Sequence, residues 1–188
     1  EGKRGVVYTA QFDKNRLIKK QVPIKHDTIT VAVKVKKKES KAEDAISSEA
    51  WWLKVLNKRG VGPRFLFSGE EYVVYQFAEG DYIEDWLPKA SKEAVLKVLI
   101  DVLEQCFILD ELKVNKEEMH NPLKHIIVDA KNIPTLIDFE RSYKTEKPHN
   151  VTQFVDFIGK RRTELAKKSF SFALKRLREA AAKYKEKH

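Results

Sequence analysis

Six residues of this 188-residue chain have side chains and surroundings that could do chemistry together: Lys34, Glu49, Glu118, His120, His125 and Asp138. Glu49 falls inside the apolar stripe of Ala42, Ala45, Ile46, Trp52, Leu53 and Leu56, three residues after Ile46 and four before Leu53. A helix over 41–57 therefore turns its carboxylate toward the core, where a carboxylate is costly unless paired. Lys34 is the natural partner. It lies in "TITVAVKVK", which puts Val31, Val33 and Val35 on one face of a strand and Ala32 and Lys34 on the other. Taken singly, a strand lysine is ordinarily solvated and a helix glutamate ordinarily sits at the edge of its stripe. Together, on a strand and the helix that follows it, they predict a placed ion pair whose lysine can present its charge to a phosphate.

Asp138 ends the apolar run "TLID" just before Phe139. A carboxylate at a strand end, aimed into a cleft, suits a hard cation such as Mg2+; its ordinary alternative is a turn cap. Gly2 and Gly5 precede the β-branched run of "EGKRGVVY". A glycine-bearing turn there lets backbone N–H groups approach a phosphate, and a plain hairpin is the simpler account. The histidines and acids of "VNKEEMHNPLKH" supply further titratable groups within a short span.

The elements that must hold these residues follow from periodicity. "GVVYTAQF" and "TITVAVKVK" read as strands, 41–57 as a helix stopped by "RGVGP", and "FLFSGEEYVVYQF" as a hairpin turning at "SGEE". After Gly80 the pattern becomes helical: "YIEDWL", then a longer helix capped by Ser91. "HIIVDA" and "PTLIDF" form a small hairpin about "KN". From 151 onward the chain reads as helical, with Phe170, Leu174, Leu177, Ala181 and Tyr184 on one stripe. An early β half and a late α half predict an α+β protein of two lobes, 1–78 and 79–188, with a cleft near 78–82.

Composition bounds the function. The length suits one domain or two small lobes. No apolar run nears the roughly 18 residues of a membrane span, and "EGKRGVVYTA" is not expected to be a secretory signal. Cys106 is the sole cysteine, so no internal disulfide can form and a reducing, cytoplasmic location is expected. The net charge is +9, and residues 160–188 carry 11 Lys/Arg against 3 Glu. That basic surface predicts a phosphate-bearing partner such as RNA, or simply a solvated helix face.

Taken in order, these motifs resemble those of protein kinases. "VAVK" is similar to the strand-lysine motif of that family, Glu49 to its helix partner, "VVYQFAEGDYIEDWL" to its hinge, and "IDFE" to its metal-binding Asp-Phe-Gly segment. The compact size and the lack of an Ala-Pro-Glu motif resemble the small archaeal Ser/Thr protein kinases and the RIO-type and KEOPS-associated kinases; "IDFERS" is also similar to a segment of lipopolysaccharide-sugar kinases. The resemblance implies an ATP-dependent phosphotransferase using Mg2+, or Mn2+, and either a protein or a small molecule as acceptor. It implies that Lys34 contacts the α/β phosphates and Glu49 orients it. The same resemblance implies that Gly2 and Gly5 belong to the phosphate-covering loop, that Tyr75 is the gatekeeper, that Gln76, Phe77 and Ala78 offer backbone groups to adenine, and that Asp138 binds metal. Ser142 and Thr145 become candidate acceptors within the chain.

The catalytic loop departs from the family pattern. With two residues inserted, Glu118-Met119 stands for Asp-Leu, and Glu118 is the base. Without a gap, His120 falls on the base. Either way His125 takes the place of the second metal-binding residue, thirteen before Asp138. Glu118 is preferred because a carboxylate can orient and deprotonate a hydroxyl. His125 is an awkward ligand for Mg2+, so a phosphate contact or a structural role stays open. Glu140 stands where the family has glycine. A kinase-like protein that binds ATP, or RNA, without turnover is the alternative expectation.

Overall fold

The computed structural model describes residues 5–13, 28–36, 45–170 and 174–186. β1 (Gly5–Asp13) and β2 (Thr28–Lys36) pair antiparallel along their whole length, with Gly5 opposite Lys36. β2 then pairs with β4 (Tyr72–Gln76), and β4 with β3 (Phe65–Ser68), giving a four-stranded antiparallel sheet of order β1-β2-β4-β3. The period of two along β2 sorts its residues as expected: Ala32 and Lys34 are buried on the face toward the first helix. Val33 and Val35 are half-buried on the other face, beside Phe67 and Val74.

That helix, α1, spans Ala45–Leu56; the expected residues 41–44 lie outside the described residues. Its buried positions are Ile46, Glu49, Ala50, Trp52, Leu53 and Leu56, a helical stripe with one carboxylate in it. A 3-10 turn (Asn57–Arg59) and left-handed Gly60 end the helix. Asn57 then knits the next loop: its Nδ2 donates to the carbonyls of Val61 and Pro63, both at 3.0 Å, and its Oδ1 accepts from the Phe65 N–H at 2.6 Å. In that loop Gly62 has φ +79°, and a Cβ there would lie 2.9 Å from the Phe139 ring. The loop is thus packed directly on the residue after Asp138.

The rest of the chain is mainly helical. β5 (Asp81–Tyr82) leads into α2 (Ile83–Trp86), and α3 (Lys92–Glu111) starts at Ser91, whose hydroxyl accepts from the Ala94 N–H at 3.2 Å. Val95, Val98, Leu99, Val102, Cys106 and Leu109 form the buried side of α3. β6 (Val114–Asn115) pairs with β9 (Tyr143–Lys144). β7 (Ile126–Val128) and β8 (Pro134–Leu136) form the expected small hairpin, with β5 added on the β7 side. Gly80 makes that addition feasible: its φ is +137°, and a Cβ would fall 2.1 Å from the Val128 carbonyl oxygen.

The tail is not one continuous helical run. It divides into α4 (Asn150–Lys160), α5 (Arg162–Lys167) and α6 (Leu174–Lys185). The breaks fall at Arg161 and at Ser169, which has φ +60°. The reason is burial from two sides: Phe154, Phe157 and Ile158 of α4 and Leu177 of α6 all pack on the core, and α6 folds back against α4. Of the expected stripe, Phe170 and Leu177 pack against the core and Ala181 is buried.

The molecule is therefore α+β, and its apolar core runs without interruption from Ile46 through Val73 and Ile83 to Leu165. Among the described residues, no helix is long and apolar enough to cross a membrane.

Candidate functional site

Strand β2, helix α1 and the segment after β8 bring Lys34, Glu49, Asp138 and Glu140 together. The Lys34 ammonium lies 2.5 Å from Glu49 Oε2, 3.2 Å from Asp138 Oδ1 and 3.0 Å from Glu140 Oε2. Burial alone would lower the pKa of this lysine, but the charges of Glu49, Asp138 and Glu140 outweigh it and raise the pKa. Burial pushes the Glu49 carboxyl up, partly offset by Lys34. For Asp138 burial also opposes the charge, yet Lys34 and Lys116 prevail and hold its carboxyl below the ordinary range. The Ser48 hydroxyl donates to the Glu140 carbonyl at 2.9 Å, tying α1 to the same segment.

Three carboxylates around one ammonium leave a local excess of negative charge. Oxygens of Glu49, Asp138 and Glu140 lie within 4.8 Å of one another. Hard oxygen donors at that spacing match a small divalent cation in chemistry. Asp138 is the carboxylate an incoming ion would meet, because 39% of its side chain is exposed against 1% for Glu49.

Beside this cluster lies a second one. Lys116, 1% exposed, donates from Nζ to the Asp138 carbonyl at 2.8 Å and sits 3.2 Å from His125 Nδ1. His125 Nε2 is 2.8 Å from Glu118 Oε2. Arg141 reaches Glu118 Oε1 at 2.9 Å and also pairs with Glu117. Burial brings the Lys116 ammonium down to about 8. Burial and then Lys116 lower His125, which favours the neutral ring. Both ring nitrogens of His125, the expected second metal ligand, thus have protein partners, Lys116 and Glu118. Glu118 and Asp138 have φ of +72° and +63°. Such conformations are disfavoured for residues with a side chain and concentrate where the surroundings over-determine them.

The other expected residues are placed as follows. Tyr75, half-buried on β4, is close enough for the Glu49 charge to add to the burial that raises its phenol pKa. The Gln76 and Phe77 N–H groups are already bonded to the carbonyls of Arg64 and Thr30, at 2.8 and 3.0 Å. Of these three segment residues, the N–H without a backbone partner among the described residues is that of Ala78. Gly5 opens β1 rather than a turn, and Gly2 lies outside the described residues. His120 is exposed; its carbonyl accepts from Lys160 at 3.4 Å, and among the described residues its side chain joins neither cluster. Ser142 is buried, which removes it as an accessible acceptor, whereas the Thr145 side chain bonds the Lys147 N–H.

Sequence reasoning missed Lys116 and Arg141, and singled out Glu140 only as the residue in place of the family's glycine, not as a member of the charge cluster. Glu140 lies two residues from Asp138, but the left-handed backbone at Asp138 breaks the alternation that an extended segment would give. Nothing local marks Lys116 in "VNKEEM" as buried. No protein-family model matches the chain, and no curated protein matches it.

Proposed function

We propose that the protein is an ATP-dependent phosphotransferase of protein-kinase-like design, with a β-rich lobe over 1–78, a helical lobe over 79–188 and the site between them. The observation that carries this is the Lys34 ammonium held between Glu49 and Asp138, residues far apart in sequence. A lysine fixed in this way by a helix carboxylate is positioned to receive phosphate oxygens. The exposed Asp138 carboxylate beside it provides the oxygen chemistry for Mg2+, with Glu140 as a second oxygen donor. When bound, Mg2+ supplies charge neutralisation for the phosphates.

In the transfer step the acceptor hydroxyl gives its proton to Glu118 as its oxygen bonds the γ-phosphorus. The bond to the β–γ bridging oxygen breaks, and ADP leaves. Water in the acceptor's place makes the same site an ATPase. Glu118 fits the base better than His120 because it shares a network with Asp138, through His125 and Lys116.

One observation favours a second reading, an ATP-binding module without turnover: both Glu118 oxygens are occupied, by His125 and Arg141. The separating experiment follows ADP and labelled phosphate with Mg2+ or Mn2+, alongside ATP binding. The phosphotransferase should turn over, and Asp138→Ala should lower turnover by about 100-fold or more while staying folded. ATP binding without turnover would select the second reading. Neither binding nor turnover would defeat both.

A further inference from the structure

We propose that Lys116 and His125 are positioning residues that fix the carboxylate of Glu118 relative to Asp138; this rests on the phosphotransferase reading above. A lysine ammonium can only donate hydrogen bonds. Charged Lys116 therefore requires His125 Nδ1, 3.2 Å away, to accept. The single proton of the neutral imidazole is then on Nε2, where it faces Glu118 Oε2 at 2.8 Å. Donation runs one way along the chain, from Lys116 to His125 to Glu118, with no unmatched group.

The starting point of that chain is buried and held from several sides. Lys116 is fixed by the Asp138 carbonyl at 2.8 Å and by the face of the Phe139 ring, 5.2 Å from Nζ to its centroid. Its own N–H donates to Asn150 Oδ1 at 2.8 Å. Asn150 in turn donates from Nδ2 to Asp110 and to the Val114 carbonyl, both at 2.6 Å. Position is thus handed from the helical core through Lys116 to both sides of the site: the carbonyl of the metal-side residue and the carboxylate of the base.

Glu118 needs such support, since its backbone sits at φ +72° and its side chain is substantially exposed. Arg141 holds the other oxygen, but Arg141 is itself half-exposed and shared with Glu117. The His125 contact is the one anchored to buried structure. Base and metal-side residue thus form a single unit, and the histidine where a metal ligand was expected serves to aim the base.

The test compares His125→Leu, His125→Gln and Lys116→Met with wild type for kcat, KM for ATP and melting temperature. Glutamine can accept from Lys116 and donate to Glu118, whereas leucine can do neither. In folded protein, His125→Leu and Lys116→Met should lower kcat by about 100-fold with KM for ATP changed less than about 3-fold, and His125→Gln should recover most of the loss. Unchanged kcat in folded His125→Leu, or His125→Gln no better than leucine, would overturn the proposal. A second measurement stands apart from turnover: imidazole 15N shifts of the wild-type protein. They should show a neutral His125 protonated on Nε2, with Nδ1 shifting in Lys116→Met. Protonation on Nδ1 would overturn the assignment even where wild type transfers phosphate. A correct tautomer in a protein without turnover would defeat the phosphotransferase reading and with it the positioning of a base.

Discussion

Replacing Lys34 with methionine removes the cation and keeps most of the volume, leaving Glu49, Asp138 and Glu140 facing one another. At an effective dielectric near 20, each of the three contacts of Lys34, at 2.5, 3.2 and 3.0 Å, is worth about 5 to 7 kcal/mol of attraction. Each carboxylate pair, within 4.8 Å, repels by at least about 3.5 kcal/mol on the same scale. That repulsion, together with desolvation of Lys34 and Glu49, consumes much of the attraction. Removing one partner from such a buried set costs about 3 to 5 kcal/mol. Lys34→Met should lose that much stability at pH 8, read from urea unfolding. The sign of the pH dependence follows from the carboxylates. Without Lys34, burial and mutual repulsion raise their folded pKa values above the unfolded ones. The resulting deficit is full at high pH and is relieved as pH falls through the raised values. In wild type, Asp138 is lowered instead, so its contribution is present above the unfolded value of 3.8 and is lost on acidification. The gap between the two proteins should therefore shrink markedly between pH 8 and pH 5. A gap under about 0.5 kcal/mol at pH 8, or one equal at both pH values, would show that the cluster is not charged as described.

Gly80→Ala should cost more than about 3 kcal/mol or prevent folding, because φ +137° and a Cβ 2.1 Å from the Val128 oxygen act together. Gly60→Ala, at φ +72° in open space, should cost only about 1 to 2 kcal/mol, and equal urea midpoints for the two variants would refute the distinction. Lys116 gives a pH signature of the same sense as Asp138 but in the alkaline range, because its folded pKa is also depressed. Its folded pKa of about 8 lies below the reference 10.5, so between them the unfolded chain binds the proton more tightly and raising pH favours the native state. Wild type should gain up to about 3 kcal/mol relative to Lys116→Met between pH 7 and 10.5, and parallel stability curves would contradict the burial of a charged lysine.

The candidate site was legible where a regular period dictates direction. The alternation of β2 and the helical stripe of α1 each aim one charged group inward, and two inward charges from adjacent elements must meet. Asp138 could be placed because an apolar run ends on it. The Lys116 network was not legible because irregular backbone gives no period from which to infer direction. Its orientation comes from left-handed residues at Glu118 and Asp138 and from Asn150, distant in sequence. The same limit applies to the tail, where composition shows helix but the breaks at Arg161 and Ser169 answer to packing against α4.

The ion cluster joins contacts of very different span. Lys34 and Glu49 are 15 residues apart, whereas Lys34 and Asp138 are 104 apart. In an unfolded chain, closing the longer loop costs about 1.7 kcal/mol more in chain entropy than closing the shorter one. The first pairing belongs to a strand and its neighbouring helix; the second requires most of the polypeptide to be in place. A fragment containing only the first 56 residues carries Lys34 and Glu49 as a one-to-one pair with no surplus anion. The excess negative charge that would attract a cation arises only when the distant segment arrives, so the site's electrostatic character is a property of the completed chain and of neither half.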